Sequence, residues 1–96
     1  MARFNCVAIV GLGLMGGSLG MAIRRAHLAR RVVGVSRKSA TLRRAKRRGA
    51  IDIGTTDSRE GVRDAEIVIM ATPVDAIIPS ARRLASAMRP GSVLSD

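Results

Sequence analysis

Short runs of aliphatic residues alternate along the chain with longer segments in which apolar residues recur every three or four positions. The short runs predict strands over residues 5–10, 31–35, 51–56, 66–71 and 92–95, of which the runs at 5–10, 31–35 and 66–71 are expected to be buried. The longer segments predict helices over residues 14–25 and 75–88. They also predict a helix that begins with Ser39 or Thr41 as its cap and ends near Arg48. Residues 58–64 are expected to form a turn or a short helix. This alternation is typical of the α/β class. Right-handed crossovers then give a Rossmann-type doubly wound parallel sheet of about five strands in the order 3-2-1-4-5.

The helical spacing also predicts which side chains face the sheet. These are Leu19, Ala22, Ile23 and Ala26 in the first helix, and Leu42 and Ala45 in the second. Gly49 is placed to end the second helix as its C-terminal glycine. Cys6 falls inside the first strand, so we expect it in the core.

A glycine-rich turn follows the first predicted strand and opens the first helix. Residues 11–16 fit G-x-G-x-x-G, and they are Gly11, Leu12, Gly13, Leu14, Met15 and Gly16. In this context Gly11 permits the tight turn, Gly13 lets a pyrophosphate approach the backbone, and Gly16 lets the helix pack against the strand. The helix amides and dipole then favour phosphate. The alternative is a tight strand-to-helix turn with no ligand.

The loop after the second strand reads GVSRKSAT, where many dinucleotide-binding chains carry an acid that binds the adenosine ribose. A carboxylate there would repel the 2′-phosphate of NADP, whereas Ser36, Arg37, Lys38, Ser39 and Thr41 are donors that can bind it. We therefore predict an NADP site. The alternatives are an NAD site, or a solvent-facing basic loop without a cofactor.

A third segment, which follows the fourth predicted strand, is expected at the same edge of the sheet as the glycine turn and the basic loop. Ala71, Thr72, Pro73 and Val74 stand at the carboxyl end of this strand, on the side where such sheets bind ligands. We expect this segment to line the adenosine ribose and pyrophosphate. An ordinary strand-to-helix turn that begins with proline is the alternative interpretation, especially for Thr72.

Composition limits the classes of protein that remain. The chain of 96 residues is one small domain with 47% hydrophobic residues, no Trp and no Tyr, which disfavours single-stranded nucleic-acid binding by aromatic stacking. A single Cys and no apolar stretch of about 20 residues favour a cytoplasmic protein without a signal peptide or membrane span.

The net charge of +10 is unevenly distributed, because all seven acids follow residue 51 and most basic residues precede it. A nucleic-acid-binding module that uses the basic residues at positions 43–48 would account for this charge, but not for the glycine turn. We interpret these residues as a solvated helix face and expect no nucleic-acid partner.

Several segments together resemble prephenate and arogenate dehydrogenases. These are VAIVGLGLMGGSLGMAIR, VVGVSRKSAT, GAIDIGTTD, IVIMATPVDAIIP and MRPGSVLSD, in the order in which the family has them. The resemblance covers nearly the whole chain. GLGLMGGSL followed by ATPVDAII is more specific than the glycine motif alone.

The resemblance implies oxidative decarboxylation of prephenate or arogenate in tyrosine biosynthesis, with hydride passing to a nicotinamide. The Ser-Arg pair at positions 36 and 37 is similar to the NADP-using branch. Family members continue beyond such a segment with an active-site serine, a catalytic histidine and a helical domain that forms a homodimer. We therefore expect residues 1–96 to be a partial dinucleotide-binding domain that is inactive alone.

No residue of this chain is predicted to be catalytic. The single histidine, His27, lies at the far end of the first helix, and nothing pairs Asp75 or Asp96 with a base. Two further functions stay open, namely the cofactor domain of another dehydrogenase of the β-hydroxyacid type and a non-catalytic dinucleotide sensor.

Overall fold

The computed structural model of the chain describes residues 3–71 and 93–95. Within them strands and helices alternate as the sequence predicts. The elements are β1 (Phe4–Val10), α1 (Leu14–Arg25), β2 (Ala29–Val35), α2 (Ser39–Arg47), β3 (Ile53–Thr55), α3 (Ser58–Val62), β4 (Ile67–Met70) and β5 (Val93–Ser95). The helix predicted over residues 75–88 lies outside the described residues.

The described strands form one parallel sheet in the order β3-β2-β1-β4-β5, which confirms the predicted Rossmann-type topology. β1 lies at the centre, where Val10 is opposite Val35 of β2 and Met70 of β4. This register aligns the carboxyl ends of the three strands. The loops that follow them therefore meet at one edge of the sheet.

Alternate residues of β1 enter two separate apolar layers. Val7 and Ile9 pack on the side of α1 and α2, in a cluster that includes Ile51. Cys6 and Ala8 lie on the opposite side, in the cluster that contains Val62 of α3. The central strand is thus buried on both faces, as its continuous apolar run predicts.

The predicted inner face of α1 is partly wrong. Ile23 is buried and Leu19 is half-buried, but Ala22 and Ala26 are exposed. Gly16 and Gly20 are buried instead, because their missing side chains let the helix backbone approach Gly11 and Ala50. This contact rotates α1 so that the face through positions 16, 20 and 23 meets the sheet. In α2 the predicted inward residues, Leu42 and Ala45, are both buried.

The edge strand β3 is shorter than the predicted residues 51–56. Asp52 N donates to Val32 O at 2.9 Å, while the Asp52 carboxylate accepts the Val32 amide at 2.8 Å. This side-chain bond replaces the regular ladder, so the strand begins only at Ile53. Conversely, β2 begins at Ala29, two residues earlier than predicted, because Ala29 pairs with Phe4.

Candidate functional site

Three loops meet at the carboxyl edge of the sheet. Gly11 N donates to Val35 O, and Ala71 N donates to Val10 O, each at 2.8 Å. Ser36 N donates to Thr55 O at 3.3 Å. These bonds hold the glycine turn between the ends of β2 and β4, the position at which open α/β sheets bind ligands.

The glycines of the turn have different surroundings. Gly11 has a φ of 96°, which favours glycine. A Cβ at Gly16 would lie 3.2 Å from the Ala71 Cβ and still closer to Gly11 O, whereas a Cβ at Gly13 would meet no atom within 4 Å. Gly16 is therefore required for helix packing, and Gly13 leaves open space at the surface. Leu12 between them is buried.

The first turn of α1 has no side-chain cap and no acidic residue. Gly13 is its N-cap, and the first helical bond runs from Gly17 N to Gly13 O at 2.9 Å. The amides of Leu14, Met15 and Gly16 consequently precede that bond and have no intrahelical acceptor. Such amides, together with the helix dipole, bind phosphate.

The loop after β2 differs from the prediction in its cap. Lys38 is the N-cap of α2 in extended backbone (φ −106°, ψ 117°), and no side chain caps the helix. Ser39 and Thr41 are not caps because both already lie within the first helical turn. The Ser36 hydroxyl accepts the Lys38 amide at 3.3 Å instead. Ser36 is half-buried, whereas Arg37, Lys38 and Ser39 are exposed.

Asp57 follows β3 at this edge, and its carboxylate caps a helix. Its carboxylate accepts the amides of Arg59 at 3.1 Å and Glu60 at 3.2 Å and so caps α3. The short α3 is therefore capped, while α1 and α2 begin without side-chain caps. Among the helices of residues 3–71, the two without a side-chain cap open from the glycine turn and from the basic loop.

The remaining predicted site residues are only partly described. Ala71 follows β4 and is half-buried at the edge, and Thr72, Pro73 and Val74 lie outside the described residues. His27 is exposed beyond the end of α1, about 18 Å of helix from Gly13.

In the described part of the chain no group of His, Cys, Asp and Glu side chains is arranged to hold a metal ion. No helix in that part is long and apolar enough to span a membrane.

Sequence reasoning missed a groove next to the glycine turn. Thr41, Arg44 and Arg48 line it from α2, and Gly13 lines it from the start of α1. Arg43, Arg44, Arg47 and Arg48 are all exposed, as expected of the predicted solvated face, but Arg44 and Arg48 also line the groove, whereas Arg43 and Arg47 do not. The spacing of positions 41, 44 and 48, which places them on one side of a helix, was the available signal.

The topology and the glycine turn define the class: this is a Rossmann-type nucleotide-binding domain. Residues 19–96 match the family model of the prephenate dehydrogenase nucleotide-binding domain. The chain belongs to this family, which confirms the resemblance found in its motifs.

Individual relatives agree with this assignment. The chain is 34% identical over 81 residues to prephenate dehydrogenase of Bacillus subtilis, covering 84% of this chain and 22% of that protein. Its fold matches Synechocystis arogenate dehydrogenase (TM-score 0.86, 30% identity, 93% of this chain and 31% of that chain). It also matches the Aquifex aeolicus prephenate dehydrogenase solved with hydroxyphenyl propionate and NAD+ (TM-score 0.84, 26% identity, 94% and 32%). The chain thus spans between a fifth and a third of the length of these relatives.

Proposed function

We propose that this domain binds NADP for a dehydrogenase that oxidatively decarboxylates prephenate or arogenate. The observation that carries the proposal is that the uncapped starts of α1 and α2, neither with an acid in its first turn, lie beside Ser36, Arg37 and Lys38. Family membership supports the reaction class. The positive charge of the loop after β2 supports NADP rather than NAD as the cofactor.

The glycine turn is the proposed pyrophosphate site. Gly13 presents open space, and the amides that follow it lack intrahelical acceptors. A pyrophosphate on these amides would satisfy donors that no side chain caps. The absence of an acid in the first turn of α1 removes the charge that would oppose this binding.

The loop after β2 is the proposed site of the 2′-phosphate. Arg37 can bind it through two parallel hydrogen bonds, and Lys38 adds a second positive charge. The exposure of both side chains leaves them accessible to the ligand. A carboxylate about 4 Å from the phosphate would instead cost about 4 kcal/mol per charge at an effective dielectric of 20. Ser39, Thr41 and the residues at positions 71–74 complete the proposed site.

When bound, NADP accepts the hydride that the substrate loses as carbon dioxide leaves and the ring becomes aromatic. The residues of this chain bind and orient the cofactor. We propose no catalytic residue among them, because the described edge pairs no acid with a base. Residues 1–96 alone should therefore bind cofactor without turning over prephenate or arogenate. For the complete enzyme we propose a cytoplasmic homodimer.

Calorimetric titration of the purified protein with NADP and with NAD tests the cofactor. We expect tighter binding of NADP, and we expect Ser36→Asp combined with Arg37→Asp to abolish or reverse the preference, because two carboxylates would face the 2′-phosphate. Equal affinities of the unsubstituted protein for NADP and NAD would contradict the proposal.

A matched control separates local recognition from overall charge. Arg43→Asp together with Ala22→Asp makes the same change in charge at two exposed positions, one in α2 and one in the second half of α1. Neither residue belongs to the proposed site. The ratio of NADP to NAD affinity should therefore stay close to that of the unsubstituted protein.

A further inference from the structure

The groove between α1 and α2 has a volume of about 280 Å³ and opens beside the glycine turn. Gly13 lies at its α1 side, and the buried Ala45 and Ala50 are among its apolar lining. Thr41, Arg44 and Arg48 face it from α2. Gly13 and Gly17 carry no side chains into the groove, so it has room for a compact anion beside the two arginines.

The charged side chains that line the groove in the described part of the chain are all positive. None of its lining residues is acidic, and within the described ranges neither Arg44 nor Arg48 belongs to an ion pair. Asp52, the first acid along the chain, is occupied by Arg24 and by the Val32 amide. Arg44 and Arg48 are one helical turn apart, so an anion between them would relieve the repulsion of their charges.

We propose that this groove binds a phosphoryl group, with Arg44 and Arg48 as its ligands. Each guanidinium offers a planar pair of donors that matches phosphate oxygens. Thr41 adds a hydroxyl three residues before Arg44, on the same side of the helix. The phosphoryl group has two possible sources, namely the 2′-phosphate of the dinucleotide or a separate phosphorylated compound. The inference about the groove does not depend on the cofactor preference proposed above.

Titration of the purified protein with inorganic pyrophosphate in the presence of saturating NAD tests the proposal, because NAD occupies the glycine turn and brings no 2′-phosphate to the groove. Arg44→Gln with Arg48→Gln should weaken pyrophosphate binding about tenfold or more, because both proposed ligands are removed. The control is Arg43→Gln with Arg47→Gln, which removes the same charge from the same helix at exposed positions that do not line the groove. We expect a change of less than about threefold for this control. Circular dichroism and thermal melting of both double variants verify folding.

Titration with NADP and NAD distinguishes the two sources. If Arg44→Gln with Arg48→Gln weakens NADP binding but not NAD binding, the groove takes the 2′-phosphate. If pyrophosphate still binds through these arginines at saturating NADP, the groove takes a separate ligand. Absence of pyrophosphate binding, or equal losses in the two double variants, overturns the proposal. The aspartate variants at positions 36 and 37 test the cofactor proposal separately, because they leave Arg44 and Arg48 in place.

Discussion

At the scale of single residues, two glycines of the same motif have separable roles. Gly16 packs against Gly11 and Ala71, while the position of a Cβ at Gly13 is empty. Added volume at position 16 therefore acts on the folded protein itself. Added volume at position 13 instead affects the binding of a ligand at the glycine turn.

Gly13→Ala should weaken dinucleotide binding about tenfold, because the methyl group occupies the approach to the α1 amides. The melting temperature should change little, since no atom contacts the new methyl and Gly13 has a φ of −68°, which alanine adopts freely. Gly16→Ala should instead destabilise the fold by about 1–3 kcal/mol through overpacking. Calorimetric titration and thermal melting measure the two effects. Unchanged dinucleotide affinity in Gly13→Ala would contradict this account.

His27 has a backbone conformation that glycine adopts more easily. It follows α1 with a φ of 54°, and its amide bonds to Arg24 O at 3.2 Å while the Leu28 amide bonds to Ile23 O at 3.1 Å. The end of α2 has the same pair of bonds, but there Gly49 takes the left-handed position with a φ of 77°. One motif thus occurs twice, once with the favoured residue and once without it.

His27→Gly should raise the free energy of unfolding by about 0.5–1 kcal/mol, because it removes the steric cost of a side chain in the left-handed region. The reciprocal change, Gly49→His, should lower it by a similar amount. Urea unfolding measures both. A loss of stability in His27→Gly would show that the imidazole makes a compensating contact.

At the scale of elements, the sequence predicts α1 to the residue but not its inner face. Apolar periodicity treats glycine as neutral, so it favoured Ala22 and Ala26 over Gly16 and Gly20. The strand order was predictable because alternation and crossover handedness leave few topologies. The start of β3 was not predictable, because it depends on a side-chain hydrogen bond. The Asp52 carboxylate accepts the Val32 amide of the neighbouring strand.

Asp52 also connects α1 to the sheet. Its carboxylate is 3.0 Å from an Arg24 guanidinium nitrogen, and the same guanidinium donates to Gly49 O at 2.8 Å. Asp52→Ala should lower the free energy of unfolding by about 1–2 kcal/mol, because it leaves the Val32 amide without its side-chain acceptor and removes the Arg24 partner. Urea unfolding measures the loss.

Asp64→Ala is the matched control for this prediction. Asp64 is 3.9 Å from Arg31, and its side chain is 74% exposed. An exposed pair at this distance contributes little, so we expect a loss below about 0.5 kcal/mol. Equal losses for the two variants would contradict the role assigned to Asp52.

At the scale of the whole molecule, the net charge of +10 opposes compactness. Five basic residues, Arg43, Arg44, Lys46, Arg47 and Arg48, follow one another within α2 and its C-cap without an acid. Raising NaCl from about 0.02 M to about 0.5 M should therefore raise the melting temperature by roughly 4–8 °C, equivalent to about 1 kcal/mol. Arg43→Gln with Arg47→Gln should show a smaller rise. A fall in melting temperature with salt would mean that attractive ion pairs dominate.

The parts of the candidate site that depend only on the order of motifs and strands along the sequence were predictable. The glycine motif after an apolar strand and the basic loop after the next strand both follow from sequence position, because parallel strands bring these loops to one edge. The choice of Lys38 as N-cap was not predictable, because serine and threonine are statistically better caps. The groove at Arg44 and Arg48 was also missed, because it requires the packing of α1 beside α2.

A crystal structure of this protein with NADP tests the central claim most directly. We predict the pyrophosphate on the amides that follow Gly13 and the 2′-phosphate within about 3.2 Å of donors of Ser36, Arg37 or Lys38. A dinucleotide bound away from the glycine turn, or a 2′-phosphate that faces solvent without a contact to this loop, would contradict the account.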